Sequence, residues 1–361
     1  MAQTISFARG APSLDIVDVE GLKRAAQRAL EEDPAGATAY GTAAGYGPLR
    51  QWIADRYGVS VEEVILTNGS LQADALLFDH LLSPGDTVVV EQPTYDRTLL
   101  YLRRRGIRLL GVELQVDGLN VERLEQLLAE GERPKLVHTI PNHHNPAGFT
   151  LSAAKRERLL ELADRYRFKI LEDDPYLELS FDGSQLPTMR SKRPDLVLYV
   201  SSFSKLLCPG VRIGYMIAPP ELLKELLPLA ANTYISPNMF AQATANAFCR
   251  SGALDGGLAR VRQALRRRAE LLCEELAQRL PEVAFTPPRG GYFLWVELPE
   301  GVDSGQLVQA AKERGVVCVP GSDFMLEGGE RGLRLAYSGV SEGEIRSGVA
   351  LLAEAYRSLA A

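Results

Sequence analysis

From about residue 60 to residue 220, short runs of β-branched and apolar residues alternate with stretches whose apolar positions recur at helical spacing. Val64–Thr67, Thr87–Glu91, Arg108–Val112 and Leu136–Thr139 read as strands. Lys169–Leu171, Val197–Ser201 and Ile213–Ile217 continue the series. Between them the pattern predicts helices over Ser70–Leu82, Thr98–Arg105, Val121–Glu130 and Ser152–Tyr166. Ser83-Pro84-Gly85 stops the first of these, and Ser152 is placed to cap the last. Strands separated by helices imply crossover connections. The fold class is therefore α/β: a three-layer sandwich whose mostly parallel sheet is covered on both faces.

After Pro237 the pattern changes. Residues 238–280 are helical almost throughout, with an amphipathic stretch over Leu258–Leu280, and Pro287-Pro288-Arg289-Gly290-Gly291 breaks it. Tyr292–Glu297, Val316–Val319 and Arg331–Tyr337 then read as strands, Gln306–Arg314 and Ser341–Leu359 as helices. A large domain over 31–257, a connecting helix over 258–280 and a smaller α+β domain over 281–361 are expected. Residues 1–30 are too few to fold alone and are assigned to the smaller domain.

Composition narrows the function. The 361 residues, 46% hydrophobic, are enough for about two to three domains. Forty Lys and Arg against 46 Asp and Glu leave a formal net charge of −6, which argues against nucleic acid as a partner. Cys208, Cys249, Cys273 and Cys318 show no paired spacing, as expected in a reducing compartment. The N-terminus shows no signal-peptide pattern, and no apolar run is long enough to span a membrane. A cytoplasmic globular protein is the expectation.

In parallel sheets ligands bind beyond the carboxyl ends of the strands, so the residues following each strand carry the chemistry. Asn68-Gly69-Ser70 opens a helix after Val64–Thr67 and could hold a phosphate on free backbone N–H groups, although Gly-Ser is also an ordinary helix start. Glu172-Asp173-Asp174-Pro175-Tyr176 follows another strand; it is either a solvated loop or a carboxylate set against a cationic ligand atom. Ser202-Phe203-Ser204-Lys205 offers an amine among Ser, Phe, Leu and Cys, where desolvation lowers its pKa as Schiff-base chemistry requires. Arg212 follows seven residues later. Phosphate cradle, carboxylate, lysine and arginine together match pyridoxal 5′-phosphate.

On these residues the sequence resembles the fold-type I, class I/II aminotransferases over nearly its whole length. SSFSKLLCPGVRIGY resembles their lysine signature, HNPAG their Asn-Pro-Thr-Gly element and EDDPY their Asp-x-x-Tyr element. The gap between Lys205 and Arg212 is most similar to the 2-aminoadipate/kynurenine aminotransferase branch, which includes the aminotransferase-like half of certain helix-turn-helix regulators. The resemblance implies Lys205 as the Schiff-base lysine and Asp173 as partner of the pyridine nitrogen. It places Tyr176 and Asn145 on the ring's 3′-oxygen and Tyr95 stacked on the ring. Gly69, Ser70, Leu71, Ser202, Ser204 and Arg212 would surround the phosphate, and Tyr40 would reach the phosphate of a neighbouring subunit in a homodimer. Arg334 would clamp the substrate α-carboxylate. The activity implied is transfer of an amino group from an L-amino acid to a 2-oxo acid by a ping-pong route.

Two departures stand out. Ala147 replaces the threonine of the Asn-Pro-x-Gly element, and Arg9 stands near the expected substrate entrance where a small residue is usual. His138, His143 and His144 could form a metal cluster with Asp173 or Asp174, but no metal-ligand spacing is present, and no metal is expected. His143 and His144 are expected instead to line the pocket or its channel. A pyridoxal-phosphate lyase or decarboxylase on the same scaffold, and a non-catalytic sensor, remain alternatives; no DNA-binding segment precedes residue 1, which counts against the sensor.

Overall fold

The computed structural model describes residues 4–360. Strand β1 (Ile5–Ser6) precedes helices α1 (Val19–Glu32), α2 (Pro34–Thr38) and α3 (Gly47–Tyr57). Strand and helix then alternate through β2 (Val64–Thr67), α4 (Ser70–Leu81), β3 (Thr87–Gln92), α5 (Asp96–Arg104), β4 (Arg108–Gln115), β5 (Gly118–Leu119) and α6 (Val121–Ala129). Next come β6 (Leu136–Thr139), α7 (Ala153–Tyr166), β7 (Lys169–Asp173), α8 (Met189–Lys192), β8 (Val197–Ser202) and β9 (Gly214–Ile217). Helices α9 (Pro220–Tyr234), α10 (Met239–Arg250) and α11 (Ala253–Arg279) follow. The remainder is β10 (Ala284–Phe285), β11 (Phe293–Glu297), α12 (Ser304–Glu313), β12 (Val316–Val317), β13 (Val319–Pro320), β14 (Gly332–Ala336) and α13 (Glu342–Ala360).

Eight strands form the main sheet in the order β2-β9-β8-β7-β6-β3-β4-β5. Its centre is parallel, with β9 antiparallel to both β2 and β8, and β5 antiparallel to β4 at the far edge. Side chains alternate across the sheet, as strand geometry requires. Leu198 and Val200 pack under α4, α5 and α9, while Tyr199 joins α1, α3 and α10 on the opposite face. Val197 belongs to a third cluster, with Val89, Val137 and Ile170, that is covered by α6 and α7. A sheet buried on both faces needs near-continuous apolar strands, and these supply them.

A second sheet, β10-β11-β14-β13, is antiparallel and shares a core with α11, α12 and α13. The single strand predicted over Val316–Val319 is two: β12 pairs with β1, whereas β13 pairs with β14. The long helical stretch after Pro237 is interrupted where Gly252, at φ 76°, separates α10 from α11. The N-terminal residues also divide. Ile5 and Phe7 pack with the second sheet's core, but Ala25 and Ala29 of α1 pack with α3 and α10, because the apolar stripe of α1 matches the small residues of α10. No described helix is long and apolar enough to cross a membrane.

Candidate active site

The carboxyl ends of β2, β3, β6, β7 and β8, with β14 of the second sheet, surround one cavity of about 600 Å3. At the end of β2, Gly69 has a φ of 87°, and a Cβ there would run into the Arg212 guanidinium. Ser70 and Leu71 open α4, so their N–H groups have no partner within the helix. Arg212 Nη2 donates to the Asn68 carbonyl at 3.3 Å, and the Ser204 N–H donates to Ser202 Oγ at 3.0 Å. Helix terminus, guanidinium and hydroxyls make an anion cradle at this end of the cavity.

Of the three acids ending β7, only Asp173 lines the cavity. Glu172 accepts from the Met189 and Arg190 N–H groups, each at 2.9 Å. Asp174 accepts from Asn142 Nδ2 at 2.8 Å, and burial together with Glu172 pushes its carboxyl up to about 8. Asp173 Oδ1 meets no hydrogen-bond partner although the residue is 4% exposed. A buried carboxylate oxygen without a partner, on a residue that lines the cavity, suits a cationic ligand atom.

Lys205 stands in the turn after β8. Burial first, then the charges of Arg334 and Arg212, lower its ammonium to about 8. Its Nζ donates to the Gly10 carbonyl at 2.6 Å and lies 5.6 and 5.9 Å from the ring centroids of Tyr292 and Tyr176. Arg334 comes from β14, whose register sets it opposite Trp295. It donates to Asn145 Oδ1 at 3.0 Å and to the Ala8 carbonyl at 2.6 Å, and its guanidinium lies 4.7 Å from the Phe293 ring and 4.6 Å from that of Phe324. Burial holds it below the usual arginine value. Tyr95 and Tyr176 line the cavity as neutral phenols; burial raises Tyr95 to about 12 and Tyr176 well above its ordinary value.

The cavity thus gathers Gly69, Ser70, Leu71, Tyr95, Asn145, Asp173, Tyr176, Ser202, Ser204, Lys205, Arg212 and Arg334, with exposed Arg9 at its rim. Tyr40 is not among its walls; the residue is 87% exposed in the single chain. His143 and His144 also lie outside it, contrary to expectation. His144 Nε2 is 2.9 Å from Glu91 Oε2, where two fully buried polar groups satisfy each other. His143 is packed against Gly290 and Gly291, and burial lowers it to about 4. Neither joins His138. The metal-compatible cluster found among the described residues is Asp74, His138 and Asp173. Asp96, Arg97 and Asp323 line the cavity without having been singled out. Arg97 and Asp96 follow Tyr95 directly, so that tyrosine was their one signal in the sequence.

The chain matches the family described as aminotransferase class I and II over residues 2–352. It belongs to that family. As an aminotransferase it is 35% identical to aromatic-amino-acid aminotransferase 1 of Thermococcus litoralis, over 98% of this chain and 88% of the relative. Its structure is similar to alpha-aminoadipate aminotransferase of Thermus thermophilus complexed with N-(5'-phosphopyridoxyl)-L-leucine, at a TM-score of 0.95 and 34% identity, covering 99% of this chain and 93% of that one. Kynurenine aminotransferase of Pyrococcus horikoshii in complex with PMP gives a TM-score of 0.94 and 34% identity, covering 99% and 92%. The fold is that of the type I aminotransferases, and the likeness read from the spacing of Lys205 and Arg212 agrees with these relatives.

Proposed function

We propose that this aminotransferase binds pyridoxal 5′-phosphate and uses Lys205 to move an amino group from an L-amino acid to a 2-oxo acid in two half-reactions at one site. The observation that carries this reading is the convergence of Lys205, Asp173 and Arg334 on the cavity that also holds the anion cradle. The residues fit the cofactor: Asp173 Oδ1 has no hydrogen-bond partner, no carboxylate among the described residues pairs with Arg212, and Lys205 is held at about 8. When bound, the cofactor supplies a carbonyl that takes up amines and a ring that withdraws electrons from the neighbouring carbon.

The chain's own groups divide the remaining work. Ser70, Leu71, Ser202, Ser204, Gly69 and Arg212 would bind the phosphate. Asp173 would keep a proton on the pyridine nitrogen by ion pairing. Asn145 and Tyr176 would hydrogen-bond the 3′-oxygen, and Tyr95 would cover the ring. Arg334 would orient the substrate carboxylate through two parallel hydrogen bonds. With its lowered pKa, the Lys205 amine would take the proton from the substrate Cα and return it two atoms away, on the far side of the nitrogen. Arg9 at the rim would meet the substrate side chain.

The exposed apolar side chains Tyr40, Leu14, Ile235 and Phe240 support a homodimer in which Tyr40 serves the partner's site. Four free cysteines support a cytoplasmic location. The two sheets with their separate cores support a large part over 31–257 and a small part over 281–361, linked by 258–280, with β1 held by the small part. The test is the absorbance of the purified protein with added pyridoxal phosphate, before and after each of a panel of amino acids. A visible band that a given amino acid bleaches is expected; absence of any band would overturn the reading.

A further inference from the structure

Behind the carboxylate that faces the cavity lies a second acid with no assigned work. Asp74 sits on α4, four residues after Ser70, and is 1% exposed. Ligand atoms of Asp74, Asp173 and His138 all lie within 4.8 Å of one another, and His138 Nε2 is 3.8 Å from Asp173 Oδ2. Asp74 Oδ1, Asp173 Oδ1 and both His138 ring nitrogens meet no hydrogen-bond partner. Two carboxylates this close in a desolvated space do not both ionise.

We propose that Asp74 is a positioning residue that shares one proton with Asp173, leaving a single negative charge on the carboxylate that faces the cavity. This rests on the reading of Asp173 as the partner of the pyridine nitrogen. The proton resides on Asp74 because Asp173 is the member nearer a cation: its charge acts on Lys205, whereas no cation acts on Asp74. Burial first, and the charge of Asp173 second, push the Asp74 carboxyl well above its ordinary range. The titratable groups that reach Asp74 are Asp173 from β7, His138 from β6 and the Tyr95 phenol at the start of α5. From β2, β8, β9 and α9 the packing is apolar, through Ile65, Val200, Met216 and Leu223 among others. One net charge behind the ring position then matches one protonated ring nitrogen.

The sign of the pH effect follows from linkage. The folded protein keeps the Asp74 proton that the unfolded chain releases near the ordinary value of 3.8. Stability is therefore lost as pH rises from there toward the folded value. Asp74→Asn can donate a hydrogen bond toward Asp173 but cannot titrate. In cofactor-free protein, the ratio of the wild-type unfolding constant to that of Asp74→Asn should climb as pH rises above the ordinary carboxylate range, with a slope approaching tenfold per pH unit. A flat ratio overturns the proposal. In an Asp173→Asn background the climb should level off at a lower pH, and a climb that levels off at the same pH would show that no proton is shared. Should Asp74→Asn fail to fold, the slope of wild type against Asp74→Ala, which also cannot titrate, carries the test.

Equilibrium dialysis of pyridoxal phosphate at pH 7 supplies the functional readout. Asp74→Ala should weaken binding about tenfold and Asp74→Asn should restore it to within about threefold, as for a neutral hydrogen-bond donor. Equal weakening by both overturns the role. Uptake of one zinc ion per chain by wild type, abolished in Asp74→Asn, would make the cluster a metal site and overturn it as well. If instead Asp173→Asn bound the cofactor and turned over like wild type, the Asp173 reading would fall, while the slope in cofactor-free protein would still report the shared proton.

Discussion

Lys205 Nζ donates a hydrogen bond to the backbone carbonyl of Gly10, 195 residues away in the chain. Two residues earlier, the Ala8 carbonyl accepts from Arg334. The N-terminal segment therefore offers oxygen atoms to the two cations that a substrate's carboxylate and the cofactor's carbonyl would otherwise meet. On the proposed reading, substrate entry would exchange these two bonds, a near-even trade in hydrogen bonds.

The lowered ammonium of Lys205 makes its reaction with added pyridoxal phosphate depend on pH in a defined way. With the group titrating at about 8, the free amine rises roughly tenfold between pH 7 and pH 9 and then levels off. The rate at which the visible band develops in cofactor-free protein should follow that curve. A rate still climbing tenfold per unit above pH 9 would indicate an ordinary lysine.

Lys205→Ala removes the proposed base and the amine together. Transamination should fall by at least about 10³-fold, the range of general acid–base catalysis, while the circular dichroism spectrum stays that of wild type. A variant that turns over at the wild-type rate would dismiss the assignment.

Arg334→Lys keeps one positive charge but loses the planar fork and its stacking between Phe293 and Phe324. The KM for the amino acid should rise about 10- to 100-fold, as expected for one charged hydrogen bond lost. Steady-state kinetics on any donor found active would decide it.

Arg156 is a buried cation that ties three segments: it donates to the Leu151 carbonyl at 2.9 Å, to the Pro141 carbonyl at 3.2 Å and Asn142 Oδ1 at 2.8 Å, and to the Pro187 carbonyl at 3.4 Å. Asn142 in turn holds Asp174, and Glu172 lies 3.7 Å from Arg156. Arg156→Met should cost about 3–5 kcal/mol in denaturant unfolding, since it leaves buried acids and carbonyls without their donor.

The sheet and most of the cavity were legible because each strand is an apolar run ended by small or polar residues, a signal local to the sequence. The EDDPY acids were legible only as a group. Which of them faces the cavity depends on strand parity and on α8, whose N–H groups draw Glu172 away. His143 and His144 misled because a histidine near an active-site loop reads the same whether it faces the ligand or a buried Glu91. The Ala8 and Gly10 contacts left no sequence trace, since backbone carbonyls are common to every residue. Asp74 reads as one polar position among several in its helix, with Gln72, Asp79 and His80; only the fold sets it beside Asp173.

Helix α4 begins at the anion cradle and, one turn on, carries Asp74 against the carboxylate at the other end of the site. A helical turn does not stretch. The spacing between cradle and carboxylate is thus fixed like the jaws of a caliper, and on the proposed reading the cavity would select its cofactor by length as well as by charge. A pyridine ring carried on a shorter or longer arm would satisfy one jaw and miss the other.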